Sequence, residues 1–242
     1  MLQHLFARPL SIAWLVCAAA GALPSSAALA ATGNAAVPDI SGPWQFEGDP
    51  SHLRTRDGSA PPLLPAMQQV YDKHVAEDKT GNKSFDPMAR CLPPGVPRLM
   101  MQPFPFNVVQ GRHLYGFMFE WNHLHRVVYM DQQHFPEPIG PQYLGQSVGH
   151  WQGNTLVVDT TDYNDMTLLD DAGLPHTSQL HTVEHLQLRA GGTVLEDSIH
   201  IEDPGAFSRP WDAVLRFRKR PGVIITEDYC LGRTGHGALR QQ

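Results

Sequence analysis

From Phe106 onward the chain is a succession of short, apolar-alternating segments separated by turn residues, and this pattern leaves few folds open. Residues 106–110 and 113–120 flank Gly111-Arg112, and 122–130 follow at once. Residues 146–151 and 155–159 are joined around Gly153-Asn154, a two-residue hairpin signal. Further segments run over 180–188, 194–201, 211–218 and 223–229, with Ala190-Gly-Gly and Pro221-Gly as turns. Many short strands joined by hairpins predict a mainly β fold, an antiparallel barrel or a sandwich. Ile40 to Phe46 reads as a first strand. One N-terminal helix is predicted over 65–77, where Met67, Val70, Tyr71 and His74 or Val75 recur at helical spacing. The prolines of Cys91-Leu-Pro-Pro-Gly-Val-Pro97 and Gln102-Pro-Phe-Pro-Phe106 predict an extended crossing segment on the surface.

Gly42-Pro-Trp44 resembles the Gly-x-Trp opening of lipocalin-like barrels, and this favours the barrel over the sandwich. In such barrels a late basic residue packs over the tryptophan, and the resemblance implies Arg218 or Arg233 in that role.

The first thirty residues read as a secretory signal. Arg8 precedes an apolar stretch over 12–23, no acidic residue intervenes, and Ala28-Leu-Ala30 offers a small-residue cleavage site, with cleavage expected after Ala30. The apolar run falls short of the roughly 20 residues of a membrane span, and Val16 before Cys17 argues against a lipoprotein site. The expected location is periplasmic or extracellular. Removing thirty of 242 residues, Arg8 among them, leaves 212 residues carrying 17 basic and 24 acidic side chains, a formal charge of −7. Residues 31–38 read as a disordered leader and 39–242 as a single domain. With no basic stripe, nucleic acid is not an expected partner. No later segment reads as a membrane span, a small molecule is the expected ligand, and the oligomeric state is left open. Cys17 leaves with the signal, so Cys91 and Cys230 remain, and in an oxidising compartment one disulfide is the simplest expectation. Two separate buried thiols are the alternative, since spacing does not establish connectivity.

Polar residues interleaved with apolar ones on one face of a strand point inward. Asn122, Leu124, Arg126, Val128 and Met130 share a face, and Glu120 continues the set Leu114, Gly116, Met118. Inward placement would gather Glu120, Asn122 and Arg126, with Glu120 as the charge partner of Arg126; a purely structural ion pair is the competing reading. Across the hairpin, His150 pairs with Val157 and shares its face with Asp159. A long loop from Asp159 past Asn164 to His176 has a length common in functional loops. Leu180, Thr182, Glu184, Leu186 and Leu188 share the next face, where desolvation would favour proton exchange by Glu184. His176 and His181 flank the loop's end.

His123 and His125 form a His-x-His pair that could reach a divalent metal. A metal site needs three or four ligands, and no third stands at a recognisable spacing, so a structural or solvent-facing pair is expected and no cofactor is predicted. Gly145-Gln-Ser-Val-Gly149 matches the G-x-S-x-G elbow, but it leads into a hairpin instead of a helix and is read as chance.

The run of Cys91-Leu-Pro-Pro-Gly-Val-Pro, Glu120-Trp-Asn, Gly149-His-Trp-Gln-Gly-Asn-Thr-Leu-Val-Val-Asp-Thr, Pro175-His-Thr-Ser-Gln-Leu-His-Thr-Val-Glu and Ile201-Glu-Asp-Pro-Gly-Ala-Phe-Ser-Arg-Pro-Trp resembles an uncharacterised family of secreted bacterial proteins. The resemblance covers nearly all the chain after the signal. It singles out Glu120, Asn122 and Arg126, then Asp159, Thr160, Asn164 and Asp165, then His176, Ser178, His181 and Glu184. The pair His123 and His125 departs from it. It implies no activity of its own.

Taken together, the residues favour an acid–base enzyme of lyase, isomerase or hydrolase type acting on a small, partly apolar molecule in an internal pocket. Glu184 or His181 would move the proton, Glu120 and His176 would assist, and Arg126 would stabilise negative charge. Asn122, Asn164, Asp159, Trp121 and Trp151 would bind substrate. The alternatives are a non-catalytic small-molecule-binding protein and a histidine-based metal-binding protein.

Overall fold

Alternating burial turns nine segments into strands. They are β1 (Gly42–Phe46), β2 (Phe106–Gln110), β3 (Leu114–Phe119), β4 (His125–Met130), β5 (Gln146–Gln152), β6 (Thr155–Thr161), β7 (His181–Arg189), β8 (Val194–Glu202) and β9 (Trp211–Lys219). In the computed structural model, which describes residues 37–135 and 139–230, these strands close into a barrel in sequence order. β9 returns to pair with β1. The expected signal peptide, most of the leader and Arg233 lie outside the described residues. The predicted N-terminal helix, α1 (Pro65–Lys79), starts with a proline in its first turn, where a missing N–H costs nothing. It buries no residue fully and rests Met67 and Tyr71 against the core.

The interior is filled by the inward residues of every strand. Trp44, Phe106, Phe117, Leu156, Ile199 and Phe217 are all wholly buried. The Phe106 ring meets Phe217 edge-on at 5.2 Å and Phe119 at 5.3 Å. Each such side chain contributes about 1.5–3 kcal/mol on leaving water. The Gly153-Asn154 hairpin forms as the sequence indicates, with Gln152 opposite Thr155 and Gly153 at a φ of 59° that glycine adopts without strain.

Several expectations are corrected. The barrel is not wholly antiparallel, because β4 and β5 pair in parallel through Val128 to Met130. Residues 223–229 form no strand, since both edges of β9 are already occupied by β8 and β1. The proline-rich crossing is not a surface segment. Val96 and Arg98 to Met101 are buried, the last four as a short 3-10 turn (Arg98–Met101). Arg98 enters the interior because Asp86 grips it bidentately at 2.7 and 2.8 Å and Asp171 adds a contact at 2.7 Å. The basic group over Trp44 is Lys219, 5.2 Å from the ring, while Arg218 turns outward to Glu47.

Cys91 and Cys230 form a disulfide with Cα atoms 5.5 Å apart, spanning 139 residues. A closure of that length removes about 5 kcal/mol of chain entropy from the unfolded state. Among the described residues no helix is long and apolar enough to cross a membrane.

Candidate functional site

The acid–base residues singled out in the sequence divide among three places. The first is the barrel interior. Arg126, inward on β4, donates from Nη1 to Glu184 Oε1 at 2.9 Å and from Nη2 to Glu184 Oε2. Glu184 points inward from β7, as the alternation around Thr182 and Leu186 requires. Arg126 also donates to Ser147 Oγ and Thr160 Oγ1, and lies 5.8 Å from the Phe117 ring. Met100 of the crossing segment closes over it. Burial works against the Arg126 charge, but the Glu184 carboxylate outweighs it and raises the guanidinium pKa. Tyr163, bonded to Thr182 Oγ1 at 2.8 Å, is pushed up to about 12, first by burial.

The partner of Arg126 is therefore Glu184 and not Glu120, and the pair is sealed from solvent. Ser147, the serine of the elbow-like motif, serves Arg126 here. The second glycine of that motif, Gly149, is required by packing, since a Cβ there would stand 2.8 Å from Val128. Asp197 on β8 also faces this interior. It lies beside the Glu184 carboxylate and the His185 backbone. Burial first, then the Glu184 charge, drives it strongly toward its neutral acid form.

The second place is a turn between β3 and β4. The inward face of β3 is Tyr115, Phe117 and Phe119, and Leu114 and Met118 face out. Glu120 ends that strand and accepts the Thr226 N–H at 3.0 Å. Asn122 and His123 sit in a short 3-10 turn (Trp121–His123) at positive φ, 49° and 53°. Asn122 Oδ1 accepts from Cys230 N, and its own N–H donates to Asp228. His123 Nε2 accepts the Asp228 N–H at 2.9 Å, and its ring stacks on Tyr229. Glu120, Asn122 and His123 thus bond the end of the described chain, which fits the structural reading of His123. His125 is exposed at the start of β4, so the two histidines do not share a strand face. Among the described residues no three His, Cys, Asp or Glu side chains are grouped to hold a metal. Trp121 is buried, and Trp151 is half-buried with Nε1 donating to Tyr115 Oη at 2.7 Å.

The loop after β6 is also largely internal. Leu168, Leu169 and Leu174 join the buried set, and His176 is enclosed. His176 Nδ1 donates to Thr177 O at 2.9 Å, and Nε2 meets Thr167 Oγ1 at 2.6 Å. Burial holds its pKa below the usual histidine range. Asn164 shapes the turn by accepting from Met166 N.

The third place is open to solvent. On the outer face, His181 of β7 lies diagonally from Asp159 of β6, whose direct partner is Val183, with Nε2 3.1 Å from Asp159 Oδ1. Glu202 Oε2 stands 3.8 Å from the other ring nitrogen. This pair lines a cleft of about 590 Å³ walled by Gln146, Val148, Thr161 and Phe135. Gln146 Nε2 donates to Gly140 O at 2.8 Å and fixes the rim. Among the described residues the cleft is lined by Asp159 and Asp162 and by no lysine or arginine, so its field suits a neutral or cationic molecule. The sequence singled out Asp159 and His181. It missed Glu202 and its neighbour His200, although Ser198-Ile-His-Ile-Glu202 shows the same alternation that revealed Glu184.

No protein-family model and no curated protein matches this chain.

Proposed function

We propose that the protein is an exported acid–base enzyme, of lyase, isomerase or hydrolase type, working in the outer cleft rather than inside the barrel. The observation that carries this reading is the His181–Asp159 contact at the wall of a cleft large enough for a small molecule. Asp159 takes the hydrogen bond from Nε2–H and holds the ring. The other nitrogen is then the lone-pair base that takes the substrate's proton. Arg126 and Glu184, enclosed and mutually bonded, support the barrel that positions β6 and β7. The substrate class is a small, partly apolar molecule without negative charge, since Val148 and Phe135 offer apolar wall and no lysine or arginine among the described residues lines the cleft to receive an anion.

The test is a turnover screen of neutral and cationic small molecules with labile C–H, C–O or ester bonds. His181→Asn should lower turnover by about 10²–10⁴-fold, the range of general acid–base catalysis. Turnover unchanged in His181→Asn would sink the reading. Saturable binding in the cleft without turnover would make the protein a small-molecule-binding protein.

A further inference from the structure

A second opening lies on another side of the barrel, with different chemistry. It has a volume of about 450 Å³ and is lined by residues of the segment after β1, among them His52, Arg54 and Arg56, together with Glu196 and Arg216. His52 is held from behind. Its Nδ1 is 2.8 Å from Tyr71 Oη on α1, and Tyr71 Oη donates to Asp170 Oδ2 at 2.9 Å. Asp170 also accepts the N–H groups of Leu53 at 3.0 Å and Leu174 at 2.8 Å. A carboxylate receiving three donors is the acceptor end of the chain. The tyrosine proton therefore points to Asp170, and Tyr71 Oη is left to accept from His52 Nδ1–H. That fixes the neutral His52 ring with its lone pair on Nε2.

The charges around the opening are unevenly satisfied. Glu47 is paired with Arg218, and Glu196 with Arg189 and Arg216. Asp49 accepts from Ser51 N at 2.9 Å. The Asp49 carboxylate also feels the Arg54 charge, and the Arg56 side chain donates to Ser198 Oγ. Two exposed guanidinium groups and an oriented imidazole face one cleft in which Glu47 and Glu196 are engaged by other arginines.

We propose that this cleft binds a small molecule bearing a carboxylate or phosphate, its oxyanion held by Arg54 and Arg56 and an adjacent hydroxyl group donating to His52 Nε2. The site is independent of the one at His181, and its two arginines select the opposite charge. The probes are inorganic phosphate and succinate, titrated at neutral pH and low salt with binding heat and the His52 ring nitrogens as readouts. Saturable binding of either is expected, and the tighter one assigns the oxyanion as phosphate or carboxylate. Arg54→Gln/Arg56→Gln should weaken it by about tenfold or more, with an unchanged melting temperature showing an intact barrel. Tyr71→Phe should abolish the preference for the Nδ1–H tautomer at His52. Failure of both probes to saturate, or equal affinity in the double variant, overturns the site. A parent His52 found as the Nε2–H tautomer overturns the Asp170–Tyr71–His52 chain.

Discussion

Arg126 lies against the Phe117 ring and Met100 and is bonded to Glu184, and both are buried, so each depends on the other. Losing one partner of such a pair strands a bare charge in a low-dielectric interior, whereas losing both removes the problem. Arg126→Met should therefore cost about 3–5 kcal/mol, and Arg126→Met/Glu184→Leu should recover most of it, as read from urea midpoints. Equal losses in the single and double variants would mean the pair carries no such coupling. Both residues were legible in the sequence as inward-facing, because alternation with Val128 and with Leu186 is a local property. Their partnership was not. Counting in steps of two across residues 120–126 assumes an unbroken strand, and the left-handed residues Asn122 and His123 break it. Glu120 is thereby carried out of the interior and exchanged, as the partner of Arg126, for a residue 58 positions away in the sequence.

At the scale of elements, the last described stretch behaves as a strap and not as a strand. Thr226, Asp228 and Cys230 each give their backbone N–H to the turn over Glu120, Asn122 and His123, and the disulfide fixes the end. Replacing both cysteines, Cys91→Ser/Cys230→Ser, should lower stability by about 2–5 kcal/mol. It should also speed amide exchange at Thr226 and Asp228 while β6 to β8 stay protected, a contrast that hydrogen-exchange mass spectrometry reads directly. Uniform loss of protection would contradict the strap. The residues Val223-Ile-Ile look like a strand by composition, yet a closed barrel offers them no edge, and closure is a property of the whole ring. The crossing segment was misplaced for a related reason. Its prolines do rule out regular structure, but burial of Arg98 depends on Asp86 and Asp171, and the second of these is far along the chain.

Two buried groups give the whole molecule opposing responses to pH. His176 has a depressed pKa in the folded state, so below about pH 6.5 the unfolded chain takes up a proton that the native one resists, and stability falls as pH drops. Asp197 has a raised pKa, so its contribution is complete in acid and lost as pH rises above about 4. Melting temperatures from pH 4 to 7 should show the parent losing ground to His176→Gln on acidification and to Asp197→Asn on the way back up. Parallel curves for all three would refute both assignments. The strand count has a consequence of its own. Strands that alternate up and down around a ring can match at every joint only when their number is even. With nine, parity fails once, and the mismatch falls at β4 and β5. A chain that must rejoin in the same direction has to travel back along the outside of the wall. Phe135 on that return path packs against Tyr129 of β4, and Gly140 receives the side chain of Gln146. Phe135 and Gly140 of this return also wall the outer cleft at His181, so the odd number of strands is what leaves a filled barrel with a hollow on its outer wall there.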